Sequence, residues 1–304
     1  GLIMGEMHSP STRESVRNDS SLRAMTSDHA FRVIVARTTN LVRDICSIQG
    51  LSGQSAVTMG DLLTGTILFR ETMAPGLRVQ GIVRAGSSKT SLVADSAPEG
   101  ATRGLVQGRL VAPFVAGDGS FLHMMRSLHN GSINQGIVRI SDQDGQAQTQ
   151  GGISRGLMTY MKESEQVDTM LALCTKVNDA GAVIEAGGYM VQLLPEVGRA
   201  PLMVMAERLA DFQRIDHLLV DDFDPQVLLD EILYGMDYTR LDQSPLSFAC
   251  WCSENRLLGA LATLDKAEIQ AMVASDNPLE IDCEYCHKHY VIQPHRLSGL
   301  LSSN

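Results

Sequence analysis

Four cysteines near the C-terminus have the residue type and the spacing of a metal site. Cys250 and Cys252 flank a single tryptophan, and after 30 intervening residues Cys283 and Cys286 flank two further residues. Two close pairs joined by a modest loop can surround one tetrahedral ion, and four thiolates suit Zn²⁺. The sequence therefore predicts one zinc ion per chain, bound by all four sulfurs. The alternative is a set of buried thiols or disulfides without a metal.

Other histidines and cysteines compete with this interpretation only weakly. His287 and His289 directly follow the second pair, and either could replace one sulfur in a site of three cysteines and one histidine. Since four cysteines already complete a tetrahedral shell, we expect both histidines to face solvent or to support the ligands from outside. Cys46 and Cys174 lie among apolar residues and are expected to be small core side chains.

The spacing within each pair also allows redox chemistry. A disulfide between Cys250 and Cys252 would close a small, strained ring, and strained disulfides are readily reduced. Cys283 and Cys286 can bridge at a more relaxed spacing. Three acidic residues surround the second pair: Glu280, Asp282 and Glu284. Because negative charge disfavours a bare thiolate, bound zinc would keep the sulfurs deprotonated and reactive toward an oxidant, although zinc can also protect sulfur from oxidation.

In the order, spacing and C-terminal position of its cysteine pairs, the chain resembles the heat shock protein 33 family of redox-regulated chaperones. The resemblance covers roughly residues 28 to 295. Further similar stretches are Gly60-Asp61-Leu62-Leu63-Thr64-Gly65-Thr66, Gly117-Asp118-Gly119, Ser164-Glu165-Gln166, Ala186-Gly187-Gly188-Tyr189 and Gln192-Leu193-Leu194-Pro195. The stretch from Gly151 to Tyr160 departs from the family, which usually carries an acidic pair there.

The resemblance implies an ATP-independent holdase chaperone that is zinc-bound and inactive when reduced. In the family, oxidant-induced disulfides release zinc and unfold the C-terminal domain and linker, and the exposed surface binds unfolding client proteins. Carried over, the bridges join Cys250 to Cys252 and Cys283 to Cys286, and the activated protein is a homodimer. This implies no catalytic residues and no enzyme. Two other classes stay open: a thiol–disulfide oxidoreductase using Cys283 and Cys286, and a zinc-knuckle module for nucleic acid.

Composition narrows these classes. The 304 residues carry a net charge of −10, from 35 acidic and 25 basic side chains, which argues against nucleic acid as a partner because phosphate binding requires a basic surface. Apolar runs stay short of the roughly 18 residues that a membrane span requires. Six cysteines, four of them at metal spacing, indicate a reducing compartment at rest. The cytosol is the expected location, and an organelle such as the mitochondrion stays open.

Hydrophobic patterning predicts an α+β fold with a mixed-sheet N-terminal core domain and flanking helices. We expect a disordered tail over residues 1–27, the core domain over 28–195, a helical linker over 196–249 and a zinc-binding domain over 250–304. Within the core, residues 154–177 are expected to be helical. The linker is acidic and amphipathic, with Asp224 capping a helix before Pro225. It is interpreted either as ordinary surface helices or as a metastable segment that depends on the zinc domain. A domain of 55 residues with few large apolar side chains often requires a metal.

Overall fold

The N-terminal part of the chain supplies most of the strands. The computed structural model describes residues 17–73, 77–86, 88–117, 119–140, 151–195, 198–210 and 215–302. Up to residue 195 the elements are β1 (Ser20–Thr26), β2 (Phe31–Arg37), α1 (Thr39–Gln49), α2 (Gly53–Glu71), β3 (Val79–Arg84), β4 (Ser91–Ser96), β5 (Ala101–Gln107), β6 (Phe121–Ser127), β7 (Ile133–Arg139), α3 (Gly152–Ser164), β8 (Thr169–Val177) and β9 (Val183–Leu193).

Shorter elements follow in the C-terminal part. They are α4 (Ala200–Ala210), a 3₁₀ turn (Ile215–His217), α5 (Pro225–Ile232), β10 (Tyr238–Pro245), β11 (Ser247–Phe248), α6 (Glu254–Leu261), α7 (Lys266–Ala274), β12 (Leu279–Asp282), β13 (His289–Ile292) and α8 (Pro294–Ser298). In the described ranges, no helix is both long and apolar enough to cross a membrane.

Two sheets enclose the main core. Sheet A is antiparallel with the order β10-β1-β2-β9-β8, and sheet B has the order β11-β5-β4-β3-β6-β7. The parallel pairing of β11 with β5 makes sheet B mixed. Helix α2 packs against strands of both sheets and is buried on nearly every side, as expected of a helix that is apolar all round. The predicted α+β class with a mixed sheet is confirmed.

The central strands of sheet A, β2 and β9, are buried on both faces. Along β2, Ile34 and Ala36 belong to the core between the sheets, whereas Val33 and Val35 belong to a second cluster on the opposite face. Alternate side chains of a strand point to opposite faces, so this strand requires cover on both sides. The second cluster is completed by apolar residues of α4, the 3₁₀ turn and α5. The linker therefore covers the outer face of sheet A.

The expected N-terminal tail differs from the structure. Residues 1–16 lie outside the described residues, but Ser20–Thr26 form β1, which pairs with β2 on one side and β10 on the other. The prediction of disorder over this stretch was wrong because its polar content hides a period of two. Leu22 and Ala24 are buried, while the intervening Arg23 donates to the Asp242 carboxylate of β10 at 2.7 Å.

Two helical predictions also differ from the structure. The helix expected over 154–177 ends at Ser164, because Gln166 adopts a positive φ of 56° and the chain then enters β8. The linker is helical over α4 and α5, and the Asp224 side chain accepts from the Gln226 N–H as predicted. Its last part forms β10 and β11, however, because β1 and β5 each offer a free edge that these strands complete.

The C-terminal domain has a very small core. Its apolar cluster consists of Leu258 of α6, Ile292 of β13 and Leu297 of α8 with half-buried neighbours, and Ile269 of α7 is buried as well. Burial of so few aliphatic side chains supplies little folding free energy to a segment of about fifty residues. The domain therefore depends on further cross-links or on its contact with the core.

Candidate metal centre

The four predicted cysteines converge in the structure. The sulfurs of Cys250, Cys252, Cys283 and Cys286 all lie within 4.8 Å of one another. The Cys250 and Cys283 sulfurs are 3.8 Å apart, and those of Cys252 and Cys286 are 3.5 Å apart. Four sulfurs at Zn–S bonds of 2.3 Å would be separated by about 3.8 Å in a regular tetrahedron. The arrangement therefore fits one tetrahedral metal ion.

Two different turns present these sulfurs. Cys250 and Cys252 lie between β11 and α6, whose first turn is capped by the Ser253 hydroxyl accepting from the Arg256 N–H at 3.2 Å. Cys283 and Cys286 lie in the turn between β12 and β13. This turn is closed by backbone bonds from the Cys283 N–H to the Lys288 carbonyl and from the His287 N–H to the Cys283 carbonyl. Each turn thus directs its two sulfurs toward the other.

The thiols differ in acidity. Burial raises the pKa of Cys250 and Cys286, the latter to about 12, where donation of its S–H to the Cys252 sulfur adds to the effect. Burial also acts to raise the pKa of Cys252, but hydrogen bonds from the Tyr290 hydroxyl at 3.0 Å and from the neighbouring thiols outweigh it and lower this pKa to about 7. Cys252 is therefore the most readily deprotonated of these three sulfurs at neutral pH.

Two of the three acidic residues around the second pair, Glu280 and Asp282, contact a histidine side chain. His289 contacts the Asp282 carboxylate at 2.6 Å and the Glu280 carboxylate at 3.4 Å. These hydrogen bonds raise the pKa of His289. In the described part of the chain the sulfur cluster consists of the four cysteines without a histidine. Cys46 and Cys174 are not part of this cluster and lie among apolar residues, where burial raises the pKa of each thiol to about 12.

Sequence reasoning missed the residues of the core domain that contact this centre. The Arg103 guanidinium of β5 donates to the Cys250 sulfur at 3.4 Å and lies over the rings of Trp251 and Tyr285 at 3.8 and 3.9 Å. Because 147 residues separate Arg103 from Cys250, no local spacing links them. The sequence signal that could have indicated the contact is the aromatic residue inside each cysteine pair, Trp251 and Tyr285, because a planar guanidinium stacks on aromatic rings.

The family motifs of the core occupy close-packed positions. A Cβ on Gly60 would lie 2.3 Å from the Thr175 hydroxyl oxygen, and one on Gly187 would lie 2.6 Å from both the Ala36 carbonyl oxygen and the Phe223 ring. Glu165 accepts from the Tyr160 hydroxyl at 3.2 Å and pairs with Arg126 at 3.0 Å. In the Gly-Asp-Gly turn at 117–119, the central aspartate lies outside the described residues.

Comparisons with known proteins agree with this architecture. The model of the Hsp33 protein family matches residues 19–293. A protein named 33 kDa chaperonin from Syntrophotalea carbinolica is 29% identical over 294 residues, covering 93% of this chain and 99% of its own length. Another of that name from Geobacter sulfurreducens is 26% identical, covering 95% and 97%.

A solved structure shows the same fold. The crystal structure of a 33 kDa chaperonin, a heat shock protein 33 homolog from Thermotoga maritima, superposes with a TM-score of 0.78 at 23% identity and covers 94% of this chain and 98% of that one. The family model thus matches nearly the whole length of this chain. The match includes the two sheets, the linker and the C-terminal cysteine cluster. The protein belongs to the Hsp33 protein family.

Proposed function

We propose that the protein is a redox-regulated, ATP-independent holdase chaperone. One observation carries the proposal: the four-cysteine cluster begins two residues after β11, at the end of a linker whose helices cover an apolar sheet face. The family and the names of the relatives support a chaperone role. Clients are unfolding proteins, which present the apolar segments that such a face would bind.

In the reduced state, Cys250, Cys252, Cys283 and Cys286 would hold one Zn²⁺. Four thiolates at this separation are the donor set that zinc prefers, and the ion would contribute folding free energy and keep the sulfurs deprotonated. Since the buried aliphatic side chains described in the C-terminal domain are few, namely Leu258, Ile269, Ile292 and Leu297, the metal would supply much of what holds this domain together.

Oxidation would convert the four sulfurs to two disulfides. Each bridge forms from two cysteine sulfurs that together lose two electrons. One hydrogen peroxide accepts both electrons and its O–O bond is cleaved. With two protons it becomes two water molecules. Two peroxides thus account for both bridges. Following the family, we assign the bridges to Cys250 with Cys252 and to Cys283 with Cys286. Disulfide sulfurs are poor zinc ligands, so the metal-bound state would be lost.

The strands β10 and β11 connect the cysteine cluster to the linker helices. β10 extends the edge of sheet A beside β1, and β11 extends the edge of sheet B beside β5. Most side chains along β10 are exposed or half-buried, so its attachment rests largely on backbone hydrogen bonds. When the C-terminal domain unfolds, these edge strands would lose their anchor on one side. The linker would then separate from sheet A.

Separation of the linker would uncover a large apolar face. Sheet A contributes fully buried aliphatic and aromatic side chains to this cluster: Leu22, Val33, Val35, Tyr189 and Val191. The linker contributes a matching set: Met205, Leu209, Leu219, Phe223, Leu229 and Ile232. An exposed patch of this kind is typical of a protein-binding surface. It would also suit the homodimer that we propose for the activated state.

A buried ion cluster fastens the linker to sheet A. Arg37, at the end of β2, pairs with Glu185 of β9 at 3.3 Å and with Asp222 of the linker at 3.5 Å. Its guanidinium donates to the Phe223 carbonyl at 3.2 Å and lies 5.2 Å from the centre of that ring. A buried arginine that loses part of its partners is costly, so this contact favours an all-or-none opening.

The alternative of a thiol–disulfide oxidoreductase receives less support. Such enzymes require a reactive thiolate, whereas Cys283 is buried and burial raises the pKa of Cys286 to about 12. The net charge of −10 likewise argues against the nucleic-acid module. We propose the cytosol as the compartment, since free thiols persist in a reducing environment.

Light scattering of an aggregating client protein tests the proposal. The full chain is added either reduced and zinc-loaded or after treatment with peroxide, and a chromogenic chelator counts the zinc released. We expect suppression of aggregation only by the oxidised sample, together with release of one zinc per chain. Equal suppression in both states, or zinc that stays bound after oxidation, would contradict the proposed switch. Disulfide mapping by mass spectrometry identifies the pairing.

A further inference from the structure

One arginine of the core domain joins the two cysteine turns. The Arg103 guanidinium lies between the Trp251 ring, 3.8 Å from its centre, and the Tyr285 ring, 3.9 Å from its centre. Trp251 is the residue between Cys250 and Cys252, and Tyr285 lies between Cys283 and Cys286. Each turn therefore contributes one aromatic wall, and Arg103 occupies the space between them. A planar cation between two rings gains favourable contact with both.

A buried carboxylate fixes the position of Arg103. Asp95 of β4 is 0% exposed and accepts from the Nε and Nη2 of Arg103 at 3.2 and 3.1 Å. Asp95 also accepts from the Nε of Arg78 at 2.6 Å, and Arg78 lies 5.4 Å from the Trp251 ring centre. The carboxylate thus holds the guanidinium of Arg103 where the aromatic rings close on it.

The surrounding contacts extend from this point over the outer face of sheet B. Tyr285 packs against a small cluster of Ile82, Val93 and Leu105. The Gln49 amide donates to the Tyr285 carbonyl at 3.1 Å. The chain just before Cys250 is held as well, because the Ala249 N–H donates to the carbonyl of Thr102, the neighbour of Arg103, at 3.2 Å. Arg103 therefore lies where both cysteine turns meet the core.

We propose that Arg103 is the positioning residue through which the core domain senses whether the two cysteine turns are joined. This inference rests on the proposed function and identifies how its switch reaches the core. While all four sulfurs share one centre, the turns stay together and the sandwich around Arg103 is complete. Once each turn is closed by its own disulfide, nothing at the sulfurs holds Trp251 beside Tyr285. Arg103 then loses both rings and its contact with the Cys250 sulfur.

The same contact works in the opposite direction. By stacking against both rings, Arg103 stabilises the state in which the two turns are joined. It also donates an N–H to the Cys250 sulfur and so shields part of that sulfur. Removal of the planar guanidinium should therefore accelerate opening of the centre. Two cation–π contacts together correspond to about a tenfold change in an equilibrium constant or more. Lysine keeps the charge toward Asp95 but cannot stack between two rings as a planar group.

Variants at this position test the inference without any client protein. The full-length protein is compared as wild type, Arg103→Lys and Arg103→Ala, with Arg84→Ala, an exposed arginine on β3 of the same sheet, as the matched control. Trp251 is the single tryptophan of the chain, so its emission reports the sandwich directly. The second readout is the rate at which peroxide and a chromogenic chelator release zinc from the reduced protein.

We expect both Arg103 variants to shift Trp251 emission to longer wavelength in the reduced state and to release zinc about tenfold faster than wild type. Arg84→Ala should match wild type in both readouts. If Arg103→Ala fails to fold by circular dichroism, Arg103→Lys decides the question. Wild-type emission and release rate in Arg103→Lys would overturn the inference. A wild-type protein that never suppresses client aggregation would refute the proposed function instead, and the two failures are therefore distinguishable.

Discussion

Two methionines of α4 offer a matched test of how the linker covers sheet A. Met205 is 1% exposed and belongs to the apolar cluster under the linker, whereas Met203, two residues earlier in the same helix, is 76% exposed. The same substitution to alanine can thus be made at both positions with similar effects on helix propensity. Only Met205→Ala removes apolar contact between the linker and the sheet.

The magnitude follows from burial. Truncation of a fully buried methionine to alanine costs about 2–5 kcal/mol through lost transfer free energy and the cavity left behind. If that free energy is lost from the contact between linker and sheet, the equilibrium constant for the covered state over the uncovered state falls by about 30-fold to a few thousandfold. The exposed Met203 should change stability by no more than about 0.5 kcal/mol. We therefore expect a large difference between two chemically identical substitutions.

The assay uses the reduced, zinc-loaded protein with no oxidant present. A dye that fluoresces on apolar surfaces reports uncovering of the sheet, and light scattering of a client reports its capture. We expect Met205→Ala to bind more dye and to suppress aggregation partly in the reduced state, with zinc content unchanged. Met203→Ala should behave as wild type. Equal dye binding by the two variants, or a lower melting temperature of Met205→Ala without dye binding, would refute the role assigned to the linker.

Three further predictions concern the packing of the linker on sheet A, the metal site and a buried aspartate of the core domain. Gly187→Ala should raise dye binding by the reduced protein, because the new Cβ would lie 2.6 Å from the Phe223 ring of the linker; unchanged dye binding would show that the linker tolerates the displacement. Cys252→Ser should abolish binding of one zinc per chain and unfold the C-terminal domain, whereas Cys46→Ser should keep wild-type zinc content, as measured by metal analysis and circular dichroism. Burial raises the pKa of Asp61 to about 7 from its ordinary 3.8, so the stability it contributes is present at low pH and is lost as the pH rises from about 4 to about 7. Urea unfolding of Asp61→Asn should therefore show a shallower loss of stability over that range than wild type, and identical slopes would contradict this assignment.

Local patterns predicted much of the core domain. The alternation along Phe31–Arg37 predicts a strand and Gly50 predicts the end of a helix; the structure has β2 over these residues, and α1 ends before Gly50, whose φ is 66°. The cysteine spacing predicted which sulfurs converge. These features depend on residues close in sequence, where side-chain period and glycine conformation determine the local structure.

Long-range pairing accounts for what the sequence did not reveal. β10 is an exposed edge strand, and β1 lies between it and β2; the two strands pair with each other, and Arg23 of β1 contacts Asp242 of β10 across more than two hundred residues. The contact of Arg103 with both cysteine turns likewise depends on the fold that brings β5 beside β11. The hydrophobic period of a strand does not reveal which distant strand pairs with it.

Hydrogen exchange measured by mass spectrometry tests the central claim most directly. The same full-length sample is followed when reduced and zinc-loaded and again after peroxide has formed the two disulfides. We predict that oxidation abolishes protection over residues 250–302 and over the linker helices α4 and α5, while β1, β2, β8 and β9 of sheet A stay protected. Loss of protection confined to residues 250–302, with α4 and α5 as protected as before, would contradict the account, because the cysteine centre would then not control the cover of the apolar face.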